Sequence, residues 1–479
     1  MSSTNTYEPP ANFFGANPLN RLSWLRTSHV FLNAILTSPN TQWLVFKDAQ
    51  PLISTTIESP SSSKHRKLVK LRSPELLSIL GPAPYFAQSQ NPTELLSEEI
   101  QKAHDHVLEA ARFHGPPVVF LGLHQAEGSD DALPSSEFII KGSDDPVAEA
   151  QKVVEKINGT AYFSLDVTDL EEELVDALLQ QKELQLSSTK APGEEIKLGF
   201  MDTRAALGAY DEFDAAILAA ARSMVDWNAR NKFCPACGSP IYSLWAGWKL
   251  SCSSLLPWAK KVEGKKPCPT AKGLHNFAHP RTDAVVIVAV VNEAGDKTLL
   301  GRNRKWPGKF YSCLAGFIEP GESLEDAVRR ELWEEAGLKV WGIRYHSTQP
   351  WPFPANLMVG FYAIADPNVP TRVDLDNELE DARWYTKDEI LSVLSNPEGL
   401  NLGSRDPNKP LPPKEPASGA GPLAGDNASK KGDVQDATGI EEPPFKLPPR
   451  TAIAGCLISD WAYGKVQFGN SSGVLKGNL

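Results

Sequence analysis

Glu331, Glu334 and Glu335 stand at i, i+3 and i+4 within the stretch 316–338, GFIEPGESLEDAVRRELWEEAGL. On a helix this spacing brings three carboxylates within one turn of each other. Like charges so close repel. A hard divalent cation among them removes the repulsion, because Mg2+ takes oxygen ligands and leaves its remaining positions to water and substrate phosphates. The alternative is an acidic helix face that simply meets water. A metal set of this kind suits diphosphate hydrolysis, since cations neutralise a linkage that repels nucleophiles and lower the pKa of the attacking water.

The surrounding residues are those that would place the carboxylates. Pro320-Gly321 makes a turn, Ser323 can cap a helix, and Gly337 stands where one would end, so a helix is expected at about 323–336. Leu324, Ala327, Val328, Leu332 and Ala336 recur at three- and four-residue steps. One face should therefore bury against a sheet, leaving the charge on the other. The full pattern is Gly316, five residues, Glu322, seven residues, Arg330-Glu331-Leu332, one residue, Glu334-Glu335, one residue, Gly337-Leu338. It fills every fixed position of the Nudix box, and the chain resembles the Nudix hydrolases, which cleave a nucleoside diphosphate linked to another group. That resemblance implies Glu331, Glu334 and Glu335 as ligands of Mg2+ or Mn2+, with Arg330 and Glu322 as a charge pair orienting helix and loop.

A second set of donors precedes the box. Cys234-Pro-Ala-Cys237-Gly238 has the form of a zinc knuckle, and Cys252 follows after fourteen residues. Cys268 comes later than a second knuckle requires, so SSLLPWAKKVEGKKP reads as an insertion in a four-cysteine zinc ribbon with one elongated loop. His275 is a substitute ligand. Lys249, Lys260, Lys261, Lys265 and Lys266 give the ribbon local positive charge. It could grip nucleic acid or serve as a clip joining two domains. Six cysteines in 479 residues, four of them between Cys234 and Cys268, suggest metal ligation in a reducing compartment more than a disulfide framework.

The length predicts two or three domains, and 41% hydrophobic residues make most of the chain globular. A net charge of −11 argues against a general electrostatic hold on nucleic acid or anionic membrane. The longest compact apolar run, 284–291, has the length of a buried strand, so no membrane association is expected. MSSTNTYEPPANFFG lacks a basic region and an apolar core, so no secretory signal is read there. Of a peroxisomal Ser-Lys-Leu address only Leu479 is present.

Residues 12–187 hold strand-like runs at 43–46, 118–123 and 161–165, with 59–67 and 127–145 as mobile insertions. A helix is expected at 211–228. After His279 the pattern reads strand, Glu-Ala-Gly-Asp turn, strand, basic loop and a strand entering the box. Strands at 341–347 and 357–365 and a helix near 387–394 follow it. Residues 403–448 lack the apolar content to fold, and 452–461 should be a helix returning to the catalytic domain. The boundaries are 1–190 for an accessory domain, 191–230 for a linking helix, 231–276 for the ribbon, 277–402 with 449–465 for the catalytic domain, and 403–448 for an unfolded insertion. The expected fold class is α+β, a Nudix α/β/α sandwich preceded by a zinc ribbon and an amino-terminal Nudix-like α+β domain.

Shortly after the box lies Thr348-Gln349-Pro350-Trp351-Pro352-Phe353-Pro354-Ala355-Asn356. Three prolines alternating with two aromatics stiffen an extended segment and hold flat faces outward, a wall for a planar base. A proline-rich surface loop is the plainer reading. With the ribbon before it, the segment resembles the signature Ser-Gln-Pro-Trp-Pro-Phe-Pro-x-Ser of the NADH pyrophosphatase branch, with Thr348 and Asn356 replacing the two serines, and the likeness runs from Phe13-Phe14-Gly15 to the end. It implies Phe317 stacking on a base, Gln349 and Asn356 contacting substrate, Glu378 supplying a further carboxylate to metal or water, Ala454 near the nucleotide, and His279 where bacterial members have Tyr. The implied reaction is water attack on the diphosphate of NADH, giving reduced nicotinamide mononucleotide and AMP, with Zn2+ structural and a homodimer typical. The cytoplasm or the peroxisome is the implied compartment. Competing readings are removal of NAD caps from RNA by the same chemistry, and a zinc-ribbon binding protein with an inactive hydrolase domain.

Overall fold

The computed structural model describes residues 11–57, 65–81, 84–85, 109–125, 133–135, 145–188, 195–259, 266–271, 278–306, 308–400, 443–466 and 468. His275, most of the insertion expected at 127–145, most of that expected at 403–448, and the terminal Gly477-Asn478-Leu479 lie outside them. The chain divides into two compact units, one of Met1–Val286 with Gly316–Ser323 and His346–Gly360, the other of Ile287–Ala315, Leu324–Tyr345 and Phe361–Leu479.

In the first unit α1 (His29–Thr37) is followed by β1 (Gln42–Lys47), β2 (Gln50–Ile57), β3 (His65–Leu68), β4 (Lys70–Arg72) and α2 (Ser73–Leu80). Then come β5 (Val118–Gln125), α3 (Pro146–Lys156), β6 (Gly159–Asp166), α4 (Glu172–Ser187), β7 (Glu195–Phe200) and α5 (Glu212–Arg230). The seven strands form one sheet in the order β3-β2-β1-β6-β5, with β4 on β1 and β7 on β2. Trp43, Leu44, Val45 and Phe46 are buried without alternation because β1 is covered on both faces. Trp43 and Val45 join Phe31, Leu32 and Leu76 from α1 and α2. Leu44 and Phe46 join Ile217, Leu218 and Val225 of α5. The sequence expectation of a mobile insertion through Lys67 is corrected at its end, where His65–Leu68 pairs with β2.

The ribbon hairpin, β8 (Ile241–Leu244) and β9 (Lys249–Cys252), follows. It is tied to the accessory domain through the segment at 109–114. Arg112 exchanges backbone hydrogen bonds with Ser243, and Phe113 lies 4.9 Å from the Tyr242 ring.

A six-stranded sheet is built from β10 (Asp283–Val291), β11 (Lys297–Asn303), β12 (Leu314–Phe317), β13 (Trp341–Trp351), β14 (Asn356–Ile364) and β15 (Leu379–Thr386). Its order is β13-β14-β10-β11-β15, with β12 paired to β10. The box helix α6 (Leu324–Ala336) precedes β13, and α7 (Lys387–Ser395) and α8 (Ile453–Ala462) complete the elements. Every residue of α8 is buried. Packing resumes before Pro448, where unfolded chain was expected to end: Phe445 and Leu447 are buried, and Lys446 bridges to Phe310. β13 runs on to Trp351, past the expected end at Ser347, so the start of the proline-rich segment is strand. Among the described residues no helix is long and apolar enough to cross a membrane.

Candidate active site

The box helix ends where Gly337 takes φ 68°, which lets its amide reach the Trp333 carbonyl and the Leu338 amide reach that of Leu332. Ala327, Val328, Leu332 and Ala336 are buried as expected, and Leu324 is half-buried. Glu335 departs from the expectation that all three box carboxylates share the charged face. It is 3% exposed, because one step beyond Glu334 the helix has turned back toward the Leu332 and Ala336 side.

That burial defines the electrostatics. Desolvation pushes Glu335 well above the ordinary carboxylate range, and the charges of Glu378, Glu331 and Asp376 push further in the same direction, against one hydrogen bond from the Ala315 backbone. Desolvation also raises Glu331, which Arg330 opposes. Arg330 Nη1 donates to Glu331 at 2.8 Å and to Glu334 at 3.0 Å, screening the two from each other. Among the described residues no basic side chain forms an ion pair with Glu335.

Glu378 comes from the loop before β15. A register shift between Arg302 and Asn303 brings Asn303 alongside, and its Nδ2 donates to Glu378 Oε1 at 3.0 Å. The Arg304 amide holds the Glu378 carbonyl at 3.2 Å. An all-oxygen set that includes a buried carboxylate with no cationic partner among the described residues fits a hard divalent ion, and Glu331, Glu334, Glu335 and Glu378 are the residues that could hold it. Sequence reasoning missed Asn303 and Asp376; the acidic run 374–381 was the available signal for the second.

The remaining expected substrate contacts are placed in their own surroundings. Phe317, at the end of β12, is 56% exposed. Glu322 accepts from the Glu319 amide at 2.9 Å. Gln349 is fully buried and donates to the Phe13 carbonyl at 2.8 Å. The Asn356 Oδ1 is buried and, among the described residues, has no hydrogen-bond partner. His279 is exposed, with its ring 5.3 Å from that of Trp245. Ala454 is buried in α8, its carbonyl 4.0 Å from the Cys313 thiol.

The four ribbon cysteines converge, with their sulfurs within 4.8 Å of one another. Among the described residues they are the one set of three or more metal-type donors gathered so closely. The Cys234 and Cys268 sulfurs lie 3.7 Å apart, and those of Cys237 and Cys252 3.4 Å. A tetrahedron with Zn–S bonds of ~2.3 Å has edges of ~3.8 Å, so the set fits one zinc ion. Hydrogen bonds from Ser239 draw the Cys237 thiol down to about 6, and burial pushes Cys252 up to about 12.

Two family descriptions match the chain: the NUDIX domain over residues 280–405, and the NADH pyrophosphatase-like rudimentary NUDIX domain over residues 40–227. A Schizosaccharomyces pombe protein named NAD-capped RNA hydrolase is 31% identical over 80% of this chain and 86% of its own length. The chain belongs to the Nudix hydrolases, in their NADH pyrophosphatase-like branch. NAD-capped RNA hydrolase NPY1 of Saccharomyces cerevisiae is 32% identical, again over 80% of this chain and 86% of its own. Human NAD-capped RNA hydrolase NUDT12 is 45% identical over 38% of this chain and 37% of its own, so that match spans little more than a third of either protein.

Proposed function

We propose that this Nudix hydrolase cleaves the diphosphate of NADH, and more weakly that of NAD+, to AMP and the corresponding nicotinamide mononucleotide. The observation that carries the reading is the buried Glu335 carboxylate, which feels the charges of Glu331 and Glu378 and with which, among the described residues, no basic side chain forms an ion pair. Mg2+ or Mn2+ held there would neutralise the diphosphate and make the attacking water acidic.

The chain's own groups divide the remaining work. Glu334, half-exposed, and Glu378, exposed and held by Asn303, are the two carboxylates able to accept the water proton. Arg330 keeps Glu331 and Glu334 on one helix face by screening their repulsion. The exposed Phe317 ring offers a flat surface for a base, and the unpartnered Asn356 oxygen offers an acceptor for a substrate donor. Gln349, His279 and Ala454 complete the assigned contacts, with Glu322 and Arg330 orienting the box. Cys234, Cys237, Cys252 and Cys268 hold a structural zinc ion.

Removal of NAD caps from RNA is the second reading, favoured by the names of the relatives that match most of the chain. It breaks the same bond with the same residues. A homodimer in the cytoplasm or the peroxisome rests on the family resemblance alone. The direct test is Glu334→Gln: NADH turnover should fall at least ~100-fold with the melting temperature retained. Near-normal turnover by the folded variant would contradict the assignment.

A further inference from the structure

Past the end of β13 at Trp351 the chain has few amides with which to hold its own shape before β14 begins at Asn356. Pro350, Pro352 and Pro354 carry no amide hydrogen, so alternate residues have nothing to donate to a strand ladder. Besides the strand ladder, the Phe353 amide meets the Trp351 carbonyl at 2.7 Å and His346 Nδ1 lies 2.8 Å from Ser347 Oγ. Carbonyls are what remain for anchoring, and the donors come from far away in the chain.

Asn12 Nδ2 donates to Ser347 Oγ and to the Thr348 carbonyl, both at 2.9 Å. Arg222, on α5, donates to the Pro352 carbonyl, and Ser223 Oγ donates to that of Pro354 at 3.1 Å. In the other direction Gln349 donates to the Phe13 carbonyl at 2.8 Å. The rings lock in the same way. Phe14 lies edge-on to Trp351 at 6.1 Å and to Phe353 at 6.4 Å, while the guanidiniums of Arg204 and Arg222 lie over Phe353 at 3.8 and 4.9 Å.

The turn supplying Asn12 is itself strained for this purpose. Phe14 and Ala16 take φ 69° and 50°, unusual for residues with a side chain, and flank Gly15. A Cβ on Gly15 would lie 2.8 Å from the Asn12 carbonyl and 3.7 Å from Pro350 Cδ, so only glycine permits this close approach.

We infer that Asn12 of the accessory domain and Arg222 of the linking helix are positioning residues that hold the proline-rich segment, and with it Asn356, in the shape that recognises the dinucleotide. These two residues thereby set substrate affinity without touching the reacting atoms. This use of the brace rests on the proposed function; the brace itself does not.

The test compares the full chain with Asn12→Ala, Arg222→Met and Arg222→Lys by hydrogen exchange and by NADH kinetics. In the first two variants, exchange at residues 347–356 should rise while that of the box helix stays unchanged. KM for NADH should rise ~10-fold or more with kcat within ~3-fold, the scale of one buried hydrogen bond lost. Arg222→Lys keeps a donor and should recover most of the affinity. Unchanged exchange at 347–356, or an equal rise in the box helix, overturns the brace. A loosened segment with unaltered KM overturns its role in recognition. If even the unsubstituted chain leaves NADH intact, the proposed function fails, and the exchange comparison alone decides the brace.

Discussion

Replacing Glu335 by Gln should stabilise the metal-free protein while destroying its activity. The side chain is 3% exposed, and Glu331, Glu378 and Asp376 all raise its pKa. Glu331 stands one helical turn away, so at ~6 Å and an effective dielectric constant of ~20 the repulsion from it alone is about 3 kcal/mol. Arg330 offsets part of this through its bond to Glu331, leaving about 2 kcal/mol as the expected gain from Glu335→Gln at pH 7.5. In melting temperature that is about 4–8 °C.

The sign fixes the pH profile. A carboxylate whose folded pKa lies above its unfolded value near 4.5 favours folding below that value and opposes it as pH rises through the folded pKa. The variant's advantage should therefore vanish near pH 4.5 and open toward neutrality. Adding Mn2+ should raise the melting temperature of the unsubstituted protein more than that of the variant, by about 2.7 kcal/mol of linkage at a hundredfold excess over Kd. Differential scanning calorimetry with EDTA or Mn2+ across pH 4.5–8 measures all three effects. A variant less stable than the parent at pH 7.5 in EDTA, or an advantage that persists unchanged at pH 4.5, refutes the reasoning.

Cys268→Ser should lower zinc content from about one ion per chain, measured by mass spectrometry of the metal, and lower the melting temperature, because three thiolates close a tetrahedral site poorly. Unchanged zinc content would remove Cys268 from the set. Gly337→Ala should destabilise by at least about 1–2 kcal/mol in urea unfolding, since φ is 68° there and the new Cβ would lie 2.9 Å from Arg372 Cβ. Leu447→Ala should cost about 2–5 kcal/mol by the same assay, as the side chain is fully buried. A variant unfolding like its parent would place that stretch outside the packed structure.

How much of this was legible depends on how local the information is. The box helix was readable to within one residue because Pro320-Gly321, Gly337 and the apolar steps are all local signals, and Gly337 does take the left-handed conformation that its position suggested. The convergence of Cys252 and Cys268 was readable from the first knuckle, which leaves two ligand positions to fill. Glu335 was read on the charged face because its neighbours are charged; a helix period of 3.6 places it at the boundary, and its actual burial depends on packing that spacing does not encode. Residues 65–67 read as the end of a mobile insertion because their polar composition hides an edge strand, whose hydrogen bonds come from β2 and not from its own side chains. Asn303 and Asn12 were invisible for a further reason. Each acts on a partner 75 or more residues away, and nothing local marks an Asn as a brace.

The most direct test of the central claim is to incubate one preparation with equal amounts of NADH, NAD+ and NAD-capped RNA in Mn2+ and to quantify AMP, the nicotinamide mononucleotides and RNA with a free 5′-phosphate by mass spectrometry. The account predicts metal-dependent release of AMP and reduced nicotinamide mononucleotide in equal amounts from NADH, faster than cleavage of NAD+, and lost in Glu334→Gln. A folded, metal-loaded protein that leaves NADH intact, or that cleaves only the capped RNA, would contradict it.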